Sequence, residues 1–163
     1  MNTIEYHPIG IIHTPFKTAE GTPIQPPVSG GIAAEVEVFG EYAAGLADLS
    51  EFSHVYLVYH FHLAKKFSLK VRPFLDDESR GLFATRAPSR PNAVGLSVVE
   101  LIGIEKNILH VKNIDVIDGT PLLDIKPYIP AFDVRQARKI GWIEKKVKNL
   151  AKTEDDGRFV KGD

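Results

Sequence analysis

Residues 83–95, FATRAPSRPNAVG, constrain the fold more than any other stretch. Pro88 and Pro91 fix φ, remove two amide donors and push the residues before them toward extended geometry. No helix interior can pass through such a sequence. It forms a stiff, irregular loop that holds two guanidinium forks, Arg86 and Arg90, four positions apart. Strand-like apolar runs flank it, residues 81–84 before and 93–104 after. A rigid cationic loop hung between core strands is a candidate grip for an anionic or nucleotide-like ligand. The alternative is that both arginines only pair with surface carboxylates.

The rest of the chain supplies mostly short strands. Residues 4–13 mix β-branched and aromatic side chains and read as a first strand, with Pro8 at an edge or bulge. Residues 14–31 are rich in proline and glycine and form a long loop. Residues 32–39 alternate, with Ala34, Val36 and Val38 on one face and Glu35 and Glu37 on the other. Residues 41–46 suit one helical turn. Residues 52–63 are apolar on both faces and belong in the centre of a sheet. A short strand over 67–74 ends at Pro73. The turn at 105–107 joins 93–104 to 108–116 as a hairpin, and Asp118-Gly119 turns the chain into a last strand over 122–129.

From Asp133, a capping residue type, Val134, Ala137, Ile140, Ile143 and Val147 recur at helical spacing to about Leu150. This expected helix is basic. Arg135, Arg138, Lys139, Lys145, Lys146, Lys148 and Lys152 stand against the single acid Glu144. A polar tail over 153–163 is expected to fray. Many short strands and few helices imply a mainly β fold, an antiparallel barrel or sandwich with one C-terminal α-helix. There is no GxGxxG and no strand–helix alternation, so a Rossmann fold is not supported.

Charge and composition narrow the function. A formal net charge of −1 gives no global attraction to nucleic acid, so a polyanion would have to meet a local basic face. The basic helix is the candidate for such an RNA-facing surface; its alternative is a merely solvated face. The chain has no cysteine, which excludes disulfides, thiolate zinc sites and a cysteine nucleophile. The N-terminal residues lack the pattern of a signal peptide, and no apolar run is long enough to span a membrane; a cytoplasmic location is the expectation.

Three groups of residues could carry chemistry. His54, His60 and His62 share one side of an undistorted strand. His60 and His62 could supply two metal ligands, but His54 is too distant to complete a set, so a polar cleft lining is preferred, His54 reads most simply as a plain core or edge histidine, and no metal is expected. Asp118-Gly119-Thr120-Pro121 presents backbone amides and a carboxylate, or is only a turn. Asp124, Lys126 and Tyr128 alternate on one face, as a solvated ion pair or as the wall of a site.

Taken together, FATRAPSRPNAVGLSVVEL, DGTPLLDIKPYIP, EFSHVYLVYHFH and PIGIIHTPF resemble the TsaA-like (TrmO) family over roughly residues 4–133. The resemblance implies a small β-barrel domain over 4–133 followed by the basic helix and tail over 134–163. It further implies a homodimeric, S-adenosylmethionine-dependent tRNA methyltransferase that N6-methylates threonylcarbamoyladenosine beside the anticodon. The absence of a Rossmann fingerprint is then expected. By the same resemblance, the cofactor site draws on Pro23, Ile24 and Gln25, where relatives often have Pro-Arg-Gln. It also takes His62 and Leu63, where relatives often have His-Gln, together with Arg86, Leu96, Asp118, Gly119, Thr120 and Pro121. The chain looks shorter than bacterial members, which carry a further C-terminal domain, and its basic helix would take over part of the RNA contact.

The nitrogen to be methylated is urea-like and poorly nucleophilic, so a base or hydrogen-bond acceptor would help; His62, Asp124 and Tyr128 are the catalytic candidates. Arg90 would hold the threonyl carboxylate or an RNA phosphate, with Arg138, Lys139, Lys145 and Lys146 on the RNA path. A non-catalytic RNA- or nucleotide-binding barrel is the alternative from another class. A small-molecule hydrolase is a third reading, and it lacks a nucleophile motif.

Overall fold

The computed structural model describes residues 3–26, 29–148 and 153–161. Six strands close into an antiparallel barrel: β1 (Gly10–His13), β2 (Ala33–Val38), β3 (His54–His60), β6 (Val94–Glu105), β7 (Ile108–Lys112) and β8 (Thr120–Pro127), in the order β1-β2-β7-β6-β3-β8. Strand β8 closes the ring. It pairs with β1 (Gly10 opposite Leu122) and with β3 (Val58 opposite Asp124). Two further strands, β4 (Lys70–Val71) and β5 (Arg80–Gly81), form a separate ribbon.

Period-2 alternation fills the barrel. Val36 and Val38, Val55 and Leu57, Val99, Leu109, Val111 and Leu122 are buried inside, while Glu35 and Glu37 face outward. A shift of register between Leu101 and Gly103 against β7, and another at Val58/Tyr59 against β8, bend the strands enough to close.

The connections are unequal, and this positions the site. At one end lie the short turn at 106–107 and the 3-10 segments Gly40–Leu46 and Leu49–Glu51. At the other end lie the two longest connections, residues 14–32 and 61–93, together with residues 113–119. The arginine loop is among them.

Four expectations are corrected. Only Gly10–His13 of residues 4–13 is strand, because Pro8 cannot donate to a ladder and Ile4 and Tyr6 stay in solvent. Leu82–Ala84 is a 3-10 turn, not strand. The basic C-terminal helix does not form in the described part of 134–150; residues 149–152 lie outside the described residues. After one helical turn, α1 (Pro130–Asp133), the chain runs irregularly to the 3-10 turn Gly141–Ile143. Val134, Ile140 and Val147 stay largely exposed, so no buried face supports a helix, and Gly141 sits at φ +67°, outside helical geometry. The Trp142 indole N–H instead donates to the Ala84 carbonyl at 2.8 Å, which pins this segment to the arginine loop.

The tail, finally, does not fray over 153–161. Its backbone exchanges hydrogen bonds with the proline-rich loop, Gly21 N–H to Asp155 O at 2.8 Å and Asp155 N–H to Thr22 O at 2.9 Å. Its last helical turn, α2 (Arg158–Lys161), presses Phe159 onto a small second core of Val71, Leu82 and Ala87. Among the described residues, no helix is long and apolar enough to cross a membrane.

Candidate active site

The long loops and the strand ends beneath them enclose a cleft of about 880 Å³. It is large enough for a nucleoside-sized ligand. Five separate stretches line it: the proline-rich loop (Pro23, Ile24, Gln25), the end of β3 with the residues just beyond it (Tyr59, Phe61, His62, Leu63), the arginine loop (Thr85, Arg86, Arg90), the start of β6 (Gly95, Leu96, Ser97) and the β7–β8 connection with Thr120 (Asp115, Ile117). The tail adds Asp155 and Phe159.

Several sequence-derived candidates therefore meet. Arg86 reaches across the cleft and donates from Nη1 to Gln25 Oε1 at 2.7 Å, which ties the arginine loop to the proline-rich loop. Leu96 is 59% exposed, an apolar side chain offered to a ligand. His62 Nδ1 lies 3.3 Å from Thr120 Oγ1, whose own proton goes to the Ile117 carbonyl at 2.7 Å. That commitment makes Nδ1 the donor and leaves Nε2 as an acceptor. Burial first, and then neighbouring His60, hold the His62 imidazole below its ordinary range, so it is neutral at pH 7.

Other candidates lie elsewhere. Asp118 accepts from the Thr14 backbone N–H at 2.9 Å and pairs with Lys17 at 2.7 Å, holding the 14–17 segment against the β7–β8 turn. The Lys17 ammonium, and then the Thr14 amide, keep its carboxyl below the usual range. Asp118 lines a different, shallower depression with His13 and Lys112. Gly119 and Pro121 are spent on the β1–β8 seam, Gly119 N–H donating to Ile12 O and Pro121 standing opposite Ile11. Asp124 accepts from the Ile125 amide and pairs with Lys126 at 2.7 Å. Tyr128 does not line the cleft itself but packs on the rings of Tyr56 and His54, which do.

Arg90 lines the cleft, but it also staples its own loop. Nη1 donates to the Thr85 and Ala87 carbonyls at 3.1 and 3.3 Å, and the guanidinium lies 5.8 Å from the centre of the exposed Phe83 ring. Arg138, Lys139 and Lys145 are exposed. Lys146 is not a free cation, because it pairs with buried Asp76, which Arg80 also holds at 2.7 Å.

Sequence reasoning missed three polar residues at the cleft floor. Tyr59 and Ser97 point inward from β3 and β6, and their hydroxyl oxygens are 3.0 Å apart. Ser97 Oγ donates to Asp115 Oδ1 at 2.6 Å. Burial pushes the Asp115 carboxyl up to about 6, against the opposing pull of Ser97 and Arg86. Burial likewise pushes the Tyr59 phenol up. The available signal was a lone acid between Ile114 and Val116, both of which are buried.

Comparison with known proteins adds to this geometry. A family model described as the tRNA-methyltransferase O N-terminal domain matches residues 11–134. A probable S-adenosyl-L-methionine-binding protein of Pyrococcus abyssi is 55% identical over 154 residues, covering 94% of this chain and 84% of that one. A mouse tRNA (adenine(37)-N6)-methyltransferase is 38% identical over 79% of this chain, which spans 32% of the mouse protein. A crystal structure of TrmO from Pseudomonas aeruginosa superposes with a TM-score of 0.73 at 36% identity, over 86% of this chain and 63% of that one.

Proposed function

This chain belongs to the tRNA-methyltransferase O family, and from that premise we propose that it is an S-adenosylmethionine-dependent tRNA methyltransferase acting at N6 of the adenosine beside the anticodon. The finer substrate of this reading is the threonylcarbamoyl form of that adenosine, and the working species is a cytoplasmic homodimer. The observation that carries the reading is the convergence of Pro23, Ile24, Gln25, His62, Leu63, Arg86, Leu96 and Thr120 on one cleft at the loop-bearing end of the barrel.

The cleft suits the cofactor chemically. Leu96, Leu63 and Phe61 give it apolar walls, and Arg86 supplies a fork for a carboxylate or a stacking plane. When bound, S-adenosylmethionine supplies an electrophilic methyl group. The protein's part is to hold two reactants in line and keep water out. Such orientation is worth roughly 7–11 kcal/mol in well-aligned cases. The Arg86–Gln25 bridge fixes one wall, and the Phe159 contact holds the tail beside it. Arg90, which lines the cleft, keeps donors for a threonyl carboxylate or a phosphate, and the exposed Arg138, Lys139 and Lys145 are the proposed cations of the RNA path. Lys146 contributes there less, being paired with Asp76.

The test is a methyl-transfer assay with tRNA that carries or lacks the threonylcarbamoyl group, read by nucleoside mass spectrometry. Methylation of the modified tRNA alone supports the full reading. Equal methylation of both removes the finer substrate, and no methylation with salt-dependent tRNA binding leaves a binding module.

A further inference from the structure

We propose that Asp115 is the proton acceptor of this site, its carboxylate aimed by a hydroxyl relay from Tyr59 through Ser97; the assignment rests on the methyltransferase reading above. The relay has a fixed direction. A carboxylate can only accept, so the single Ser97 proton is committed to Asp115 at 2.6 Å. The Tyr59 phenol must then be the donor to Ser97 at 3.0 Å. Both hydroxyls sit at inward positions of barrel strands, so the carboxylate is aimed from the barrel wall and not from a loop. A carboxylate offers about four acceptor positions, and Ser97 takes one.

The other polar groups in the cleft fit the role less well. Arg86 is a donor only. The Thr120 hydroxyl proton is spent on Ile117 O, and Asp155 accepts from the Gly157 amide in the tail. Glu100 stands on the outer face of β6, opposite His54 on β3. Asp155, Glu100, His54 and His62 also line the cleft, and of these rivals His62, with Nε2 as its acceptor, is the one set beside Thr120 at the strand ends.

The chemistry needs such a group. As the bond from N6 to the methyl carbon forms, the sulfur–carbon bond breaks and its electron pair returns to sulfur, leaving a neutral thioether. The nitrogen must lose its proton. That proton passes to the Asp115 carboxylate, which becomes a carboxylic acid and returns the proton to water once product leaves. The charged and titratable groups facing Asp115 are the Tyr59 phenol from β3 and the Arg86 guanidinium from the arginine loop. Burial places its titration near neutrality, where a general base works best.

The experiment compares wild type with Asp115→Asn, Ser97→Ala and His62→Asn. Asp115→Asn should lower kcat by about 100-fold or more while the S-adenosylmethionine Kd, measured by calorimetry, stays within about threefold. The acid limb of the kcat–pH profile should vanish with it. Ser97→Ala keeps the carboxylate but removes a donor that favours its charged form, so the acid limb should move to higher pH. A ligand-free readout tests the same group: the ¹³Cγ resonance of Asp115 should titrate near pH 6 in wild type and higher in Ser97→Ala. An ordinary aspartate titration, or an acid limb that survives Asp115→Asn and disappears in His62→Asn, overturns the assignment. So does a Kd that weakens in step with lost turnover, which would make Asp115 a cofactor ligand. Absence of transfer by wild type sinks the methyltransferase reading and this assignment together, whereas full activity of Asp115→Asn sinks the assignment alone.

Discussion

The ring of Tyr59 fills the space where a side chain would stand on Gly95, its register partner: a Cβ placed on Gly95 would fall 2.2 Å from Tyr59 Cε2. The absent side chain at 95 is thus the space that lets the phenol turn toward Ser97. Gly95→Ala should expel the ring, destabilise the fold by about 1–3 kcal/mol and disorder the cleft floor. Thermal denaturation would register the first effect, and loss of S-adenosylmethionine binding in calorimetry the second. An alanine variant with unchanged Tm and Kd would mean that the ring has somewhere else to go.

Arg86 is expected to act through charge as well as through its bond to Gln25. Arg86→Gln keeps a donor but removes the cation, and should weaken S-adenosylmethionine binding by about tenfold or more. Arg86→Lys should rescue little, because an ammonium cannot reproduce the planar fork. Titration calorimetry on both variants separates the two contributions.

The barrel was readable in the sequence and the roof of the cleft was not. Alternation over 33–38 and the tight turn at 106–107 are local signals, and the strands form where those signals lie. Helical spacing over 134–147 is a local signal too, but spacing says nothing about whether a surface exists to receive the apolar face, and here none does. The tail misled for the opposite reason. It looks polar, yet Phe159 and two backbone hydrogen bonds anchor it on partners far away in sequence. Asp118 has the residue type of a ligand contact, and its position beside Lys17 emerges only from the folded loops. Asp115 was legible only as an acid in an apolar neighbourhood.

Asp76 joins the β4–β5 ribbon to the segment C-terminal to the barrel. Its buried carboxylate accepts from Lys146, Arg80 and the Glu78 amide, and these hold its pKa well below the usual range, Lys146 foremost. A carboxyl depressed by folding stabilises the native state above its unfolded pKa of about 3.9, and that contribution is lost as pH falls below it. The contact should therefore hold unchanged from neutral pH to about 4.5 and fail in stronger acid. Amide exchange around 142–146 is the measurement, and Asp76→Asn should show the loosened pattern already at pH 7.

Phe159 meets Phe74 edge-on at 5.1 Å and covers the Val71–Leu82–Ala87 cluster. Phe159→Ala should cost about 2 kcal/mol of stability in this region, less than a fully buried phenylalanine because the ring is only half-buried. It should also release the tail from the cleft and weaken S-adenosylmethionine binding. Limited proteolysis should cut the variant first within 153–161 and leave the barrel whole.

Strand β8 is the keystone of the ring, since it alone joins β1 to β3. Without it, the other five strands would make an open ribbon with two raw borders, each a row of unpaired amides and carbonyls over apolar side chains. Borders of that kind recruit strands from neighbouring molecules. Damage to the Thr120–Pro127 ladder should therefore surface as insoluble protein instead of a weakened monomer, and its pairing, distant in sequence from β1, would come late in folding.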